Sequence, residues 1–265
     1  MLKVDKIRKK QASLFYIIDY LWGGFATLGV VFSFVALWQF GSLTLGDFLL
    51  PSPLTVFNKC LEMLANIKAN EIDITLWRSF VGISISLLVG ISTGFIAGYF
   101  KTAMVVLKPL ATILLSAPPI IWIVMALFWF GFGDASVFFT IIVIVTPFTF
   151  ASSAVAIASI NQQNQELFNA YQLGFRKKLR YLYIPHLTSY VLASISVAVA
   201  TGIRIVVMAE LLGASDGIGA KIADARIMLD TTTVLAFVIL IILLVALFEF
   251  FLIKPLEILF MPWRR

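Results

Sequence analysis

The 265-residue chain is poor in the groups that carry soluble enzyme chemistry. It has one cysteine, Cys60, which excludes an internal disulfide and a multi-cysteine metal site. It has one histidine, His186, which argues against a histidine-rich metal centre or a Ser-His-Asp triad. Charged residues make up only 13%, about half the usual share of a soluble domain. What fills the chain instead is apolar: 61% of residues, with 24 phenylalanines and a mean hydropathy of +1.00. A soluble globular enzyme and a disordered chain are both excluded by that balance. It indicates a polytopic membrane protein with little mass outside the bilayer. The net charge of +6 suits an anionic membrane face or nucleic acid, and its distribution separates the two.

Charges divide the sequence into apolar windows. They run from Leu21 to Phe40, Ser79 to Phe100, Pro109 to Gly133, Ala135 to Ile160, Tyr181 to Ile203 and Thr231 to Phe248. Each approaches the ~20 residues that span ~30 Å of hydrocarbon at 1.5 Å per residue. Apolar-polar alternation is absent and the windows are too long for barrel strands. The fold class expected is an all-α polytopic membrane protein with six transmembrane helices.

Lysine and arginine set the orientation. With the N-terminus inside, cytoplasmic segments carry 14 of the 20 basic residues, so both termini are expected in the cytoplasm. The anionic inner leaflet then accounts for the basic excess, and nucleic acid is not needed as a partner. The expected organisation is a cytoplasmic segment over 1–20, one transmembrane domain over 21–253 and a cytoplasmic tail over 254–265. The first window exceeds a usual signal core and lacks a convincing small-x-small cleavage site, so it is read as retained.

Between the windows, Leu54, Phe57, Leu61, Leu64 and Ile67 recur at helical spacing among polar residues. Residues 53–70 therefore read as an amphipathic segment on the outer interface. Gly82, Ser86, Gly90, Gly94 and Gly98 make a smooth strip on one helix face, where a neighbouring helix can approach closely. Ser194, Ala198 and Gly202 repeat the device. Pro118 and Pro119 interrupt the third window. They read either as a kink satisfied by neighbours or, with Trp122 beside them, as backbone lining a pathway. Arg204 and Glu210 bracket the outer end of the fifth helix. Two readings stand: Arg204 pairs with a carboxylate such as Glu210, or Arg204 and Glu210 join Pro118, Pro119 and Trp122 as candidates for the solute path. Arg78 reads as an interface anchor.

The polar segment 161–185, NQQNQELFNAYQLGFRKKLRYLYIP, is too polar to span and too rich in helix formers for a plain linker. Its apolar stripe includes Leu167, Phe168, Ala170 and Tyr171, behind Glu166. Gly174 then reads as a helix C-cap. Arg176 and its basic neighbours follow, and Pro185 opens the next membrane helix. Two short cytoplasmic helices are expected between the fourth and fifth spans. They serve either as an interfacial loop anchored on lipid or as a docking element for a soluble partner. The lone His186 reads as a helix-start residue rather than a ligand.

This segment resembles the coupling loop, the "EAA" loop, of inner-membrane permeases of binding-protein-dependent ABC importers. Ala170, Gly174 and Ile184-Pro185 match that pattern. Phe168 and Asn169 replace its Glu and first Ala, and the stretch from Gly to Pro is two residues shorter than usual. LPSPLTVF, LWRSFVGISISLLVGISTGFIAGY, KPLATILLSAPPIIWIVMALFWFGFGDAS, TPFTFASSAVAI and MAELLGASDGIGAKIADARIMLDT look like the branch that handles nitrate, sulfonates, taurine and thiamine precursors. The resemblance implies a path formed with a second permease subunit, identical or not. It implies two ATPase subunits holding ATP-Mg, each receiving one coupling loop, and a solute-binding protein on the outer face. It implies a prokaryotic inner membrane and alternating access. The chain lacks a Gly-x4-Gly-Lys-Ser/Thr phosphate loop, so no catalytic, cofactor-binding or metal residue is assigned to it. An ion-coupled secondary transporter is the alternative. It would be expected to show acidic mid-helix residues and inverted repeats, and neither is evident.

Overall fold

The computed structural model describes residues 13–160, 166, 168, 170–172 and 174–256. The described residues form helices and turns. In chain order they are α1 (Ser13–Leu45), α2 (Pro53–Ala65), α3 (Ile72–Tyr99), α4 (Lys101–Ser116), α5 (Pro119–Phe130), α6 (Asp134–Ala158) and the short α7 (Phe175–Lys178). A π-helical turn, Leu179–Tyr183, leads into α8 (Ile184–Gly213), followed by α9 (Ile218–Ile227) and α10 (Thr231–Phe248). A second π turn, Glu249–Ile253, prolongs α10. Among the described residues five helices are long and apolar enough to cross a membrane, and there are six such spans if the bent pair α4 and α5 forms one.

Contacts divide the chain into two units, Met1–Asn58 and Lys59–Arg265. In the first, α1 exposes nearly every described apolar side chain, among them Val30, Phe32 and Leu37. At its end the Trp38 indole donates to the Pro51 carbonyl at 3.0 Å, and Ser42 is buried against Asp47.

The second unit is built on α6, which packs most extensively on α3 and then on α8. Its core joins Ile83 of α3, Ile123 of α5, Val137, Ile141 and Val145 of α6, and Ala198 and Val206 of α8. Phe80, Leu88, Val105, Phe128, Phe132 and Ile242 are left exposed. A water-soluble monomer rarely carries so much contiguous apolar surface, whereas hydrocarbon solvates it freely. A cavity of about 590 Å³ lies among Leu64, Ile67, Ile72, Leu76, Leu240 and Phe250. Its lining is apolar, so it offers a polar solute nothing to bind.

Boundaries differ from the sequence expectations at several places; α1 and α3 begin before their windows, at Ser13 and Ile72. The third window is not one helix: α4 starts at Lys101, passes through Lys108 and Pro109, and meets α5 at a 97° bend. Pro118 has no N–H to give the Leu114 carbonyl, and the Trp122 indole supplies that donor at 3.3 Å. The fifth window ends at Ile203, yet α8 runs on to Gly213. Arg204 is exposed there, and a charge with an outlet does not end a helix. Within 53–70, the helix stops at Ala65 and residues 66–71 form turns.

Asp230 caps α10. Its carboxylate accepts from the Thr233 amide at 3.0 Å and the Thr233 hydroxyl at 2.6 Å. Those bonds, the hydroxyl's first, hold the carboxyl below the usual aspartate range. A depressed folded-state pKa stabilises at neutral pH, and that stability fades as pH falls through the folded value. Asp230→Ala should cost about 1 kcal/mol in thermal unfolding of the purified chain at pH 7. Asp230→Asn should cost less, because its amide oxygen still accepts.

Candidate functional site: a buried charge clamp and the loop before α8

The first turns of α3 carry Glu71 at the cap, Thr75 one turn on and Arg78 three residues further. That spacing places Thr75 and Arg78 on one face. Arg78 is 2% exposed, and every arm of its guanidinium is used. Nε donates to Asp134 at the start of α6 at 2.7 Å. Nη1 donates to Glu210 near the end of α8 at 3.0 Å and to the Asp216 carbonyl at 2.9 Å. Nη2 donates to the carboxylates of Asp134 and Asp216, the latter at 2.6 Å.

Glu210 is fully buried, and its other oxygen is also satisfied. It accepts from the Thr75 hydroxyl at 2.8 Å and the Gly219 amide at 3.1 Å. Thr75 in turn accepts from the Ile218 amide at 2.8 Å. Glu71 accepts from the Gly217 amide at 2.7 Å and pairs with Lys221 at 3.1 Å. The N-terminal amides of α9 thus point at Glu71, Thr75 and Glu210, where helix polarity favours negative charge. Gly217 lies at φ 99°, and a Cβ there would strike the Glu210 carboxylate. A Cβ at Gly219 would lie 2.5 Å from Glu210 Cβ and the Leu211 amide. Both glycines let α9 seat directly on α8.

This clamp overturns two expectations. Arg78 is not an interface anchor but the buried centre of the cluster. Glu210 pairs with Arg78, not with Arg204: six residues along a helix turn roughly 240°, onto a different face. Arg204 is exposed and makes no ion pair among the described residues. Asp134 carried no signal in the sequence beyond bounding a window. Only the fold brings it to Arg78, 56 positions away.

Pro118 and Pro119 lie exposed at the α4–α5 bend, and Trp122 is half-buried across it. Gly82, Ser86, Gly90, Gly94 and Gly98 face α6, against Ile141, Thr149, Ser153 and Ile157.

In the loop, Glu166, Phe168 and Ala170 are helical, and Leu167 lies outside the described residues. Tyr171 is 72% exposed. Gly174 is not the left-handed cap expected of it. Gln172 takes that conformation, at φ 50°, while the Gly174 carbonyl accepts from the Lys177 amide and opens α7. A non-glycine residue in the left-handed region is uncommon, so this turn holds Gln172 there against its ordinary preference. Arg176 is exposed, and Pro185 sits in the first turn of α8.

Helices with exposed apolar faces, whose buried charges Arg78 and Glu210 meet in one internal clamp, define an integral membrane component. The family of binding-protein-dependent transport system inner membrane components matches residues 62–253, and the chain belongs to it. It is therefore an ABC importer inner-membrane permease. The formylaminopyrimidine transport permease ThiX of Halalkalibacterium halodurans is 25% identical over 87% of this chain and 92% of its own. The putative aliphatic sulfonates permease SsuC of Bacillus subtilis is 24% identical, over 87% and 84%. The nitrate import permease NrtB of Synechococcus elongatus is 28% identical, over 72% and 73%. A chain of the MetNI methionine ABC transporter shares the fold with a TM-score of 0.56 at 19% identity, covering 69% of this chain and 92% of that one.

Proposed function

We propose that this chain forms half of the translocation path of an importer for a small solute: a sulfonate, nitrate or similar anion, or a vitamin precursor. Similarity to relatives named for formylaminopyrimidine, sulfonates and nitrate over most of the chain carries the reading. In it the chain has six spans, counting α4 and α5 as one, with both termini in the cytoplasm. The Arg78 clamp then faces outward and the 161–185 loop faces inward, consistent with the lysine and arginine distribution.

A second permease subunit completes the path. Two ATPase subunits carry ATP-Mg and receive the loops through Phe168, Ala170 and Tyr171. A solute-binding protein delivers to the outer face. The exposed Tyr171 and the exposed Arg176 suit such a docking surface, an aromatic anchor beside a charge. The bend at Pro118-Pro119 and the exposed Arg204 are the candidate path residues. An exposed arginine with no ion pair among the described residues can attract an anion.

Purification from native membranes in mild detergent tests the assembly. A stoichiometric ATPase should accompany the chain, and Tyr171→Ala should weaken its retention by about tenfold or more, the effect of losing a hot-spot aromatic. A chain recovered alone, beside a control importer that stays intact, would overturn the reading. The solute carried by a copurifying binding protein would name the substrate. If that solute is an anion, Arg204→Gln should raise its apparent transport KM. An unchanged KM would remove Arg204 from the path.

A further inference from the structure

The structure assigns a role to the chain's one histidine. We propose that His186, with Ser159 and Tyr190, is a positioning clamp that joins the two ends of the 161–185 loop into one lever. This rests on the loop's reading as the ATPase-coupling element.

The loop leaves the bundle at the end of α6 and returns at the start of α8. The last four carbonyls of any helix have no partner within it. In α6 the Val155 carbonyl takes the Ser159 amide, and the Ile157 carbonyl takes the Ile160 amide. The Ala156 carbonyl has two groups within reach: the Ser159 hydroxyl at 3.2 Å and, from a different helix 30 positions on, His186 Nε2 at 3.1 Å. A carbonyl only accepts, so Nε2 carries the proton. The same Nε2 lies 3.1 Å from Ser159 Oγ, and Ser159 donates to the Tyr190 hydroxyl at 3.0 Å. The imidazole and the Tyr190 ring, one turn apart on α8, are 5.2 Å between centroids. Side chains of α8 therefore cap α6.

The mechanical consequence follows from where the helices go. At its far end α8 is held by Glu210 in the Arg78 clamp, and between the ends it packs on α6. Without the His186 bonds, a push on the loop could spread its two ends and be lost there. With them, α6 and α8 receive it together.

The test uses the full complex of permease, ATPase and copurifying binding protein in proteoliposomes, with ATP as substrate. The readouts are basal ATP hydrolysis, its stimulation by that binding protein, and the unfolding temperature. His186→Ala should keep ATPase retention and basal hydrolysis but lose the stimulation. His186→Gln, whose amide nitrogen can occupy the Nε2 position, should restore it. Ser159→Ala and Tyr190→Phe remove less and should reduce stimulation without lowering the unfolding temperature. They remain informative if His186→Ala does not assemble. Full stimulation in His186→Ala, or in both milder variants, would overturn the proposal. So would failure of His186→Gln to restore a lost response. Absence of ATPase from the unmutated chain would instead overturn the importer assembly itself.

Discussion

Arg78→Met should destabilise the purified chain by about 3–5 kcal/mol, the cost of stranding a buried charge by removing its partner. Most of that cost falls on Glu210, which is 0% exposed. Asp134 and Asp216 are 66% and 43% exposed, so water screens what they lose. Arg78→Lys should recover little. A lysine ammonium is a point donor and cannot bridge three carboxylates spread across a planar fork. The double variant Arg78→Met/Glu210→Gln should be more stable than Arg78→Met alone, because no unpaired charge is then buried. Thermal unfolding in one detergent would measure all three. An Arg78→Met chain as stable as its parent would mean that the cluster holds nothing together, and that α9 is seated by its glycines alone.

The long apolar helices were legible in the sequence because the bilayer imposes its own length on a span, whereas the short α9 (Ile218–Ile227), with no apolar window, was not. Phe80, Leu88 and Ile242 needed no partner to declare a membrane helix, and charges such as Lys101 and Asp230 marked where the windows end. Pro118-Pro119 likewise announced its break. Charged residues misled where burial changed their meaning. A sequence shows Arg78 as one more basic residue at a span end, the position of an ordinary anchor. What makes it central is Asp134, Glu210 and Asp216, and these lie 56 to 138 positions away. Arg204 and Glu210 were adjacent in the sequence's terms but not in the helix's, because neighbours on a helix surface come three or four residues apart. Gly174 failed as a cap for a related reason: the turn's dihedrals fell on Gln172, and glycine only permits the left-handed region without requiring it. His186 was legible as a helix-start residue. Its bond to the Ala156 carbonyl was not, since orphan carbonyls leave no mark in sequence.

Gly94→Leu should prevent α3 and α6 from packing. A Cβ at Gly94 would lie 2.6 Å from the Phe150 carbonyl oxygen, 2.7 Å from Ser153 Cβ and 3.1 Å from the Ala154 amide. Two of those three atoms are helix backbone, which cannot rotate away, so the helices themselves must separate. Even Gly94→Ala should show a loss. Overpacking costs about 1–3 kcal/mol, and the better helix propensity of alanine returns about 1 kcal/mol. Gly82 makes the control within the same strip. The three atoms nearest its Cβ all belong to the Ile141 side chain, Cδ1 at 2.6 Å, Cγ2 at 3.1 Å and Cβ at 3.3 Å, with no backbone atom among them. Overpacking and propensity then nearly cancel, and Gly82→Ala should unfold close to the parent temperature. Gly90 falls between them, because its Cβ would strike the rotatable Thr149 hydroxyl but also lie 2.8 Å from the Thr146 carbonyl. The order Gly94, Gly90, Gly82 in thermal destabilisation by alanine is therefore the expected result. Equal effects at all three would mean that α3 and α6 are free to shift apart, and a close backbone contact would no longer explain the glycine strip.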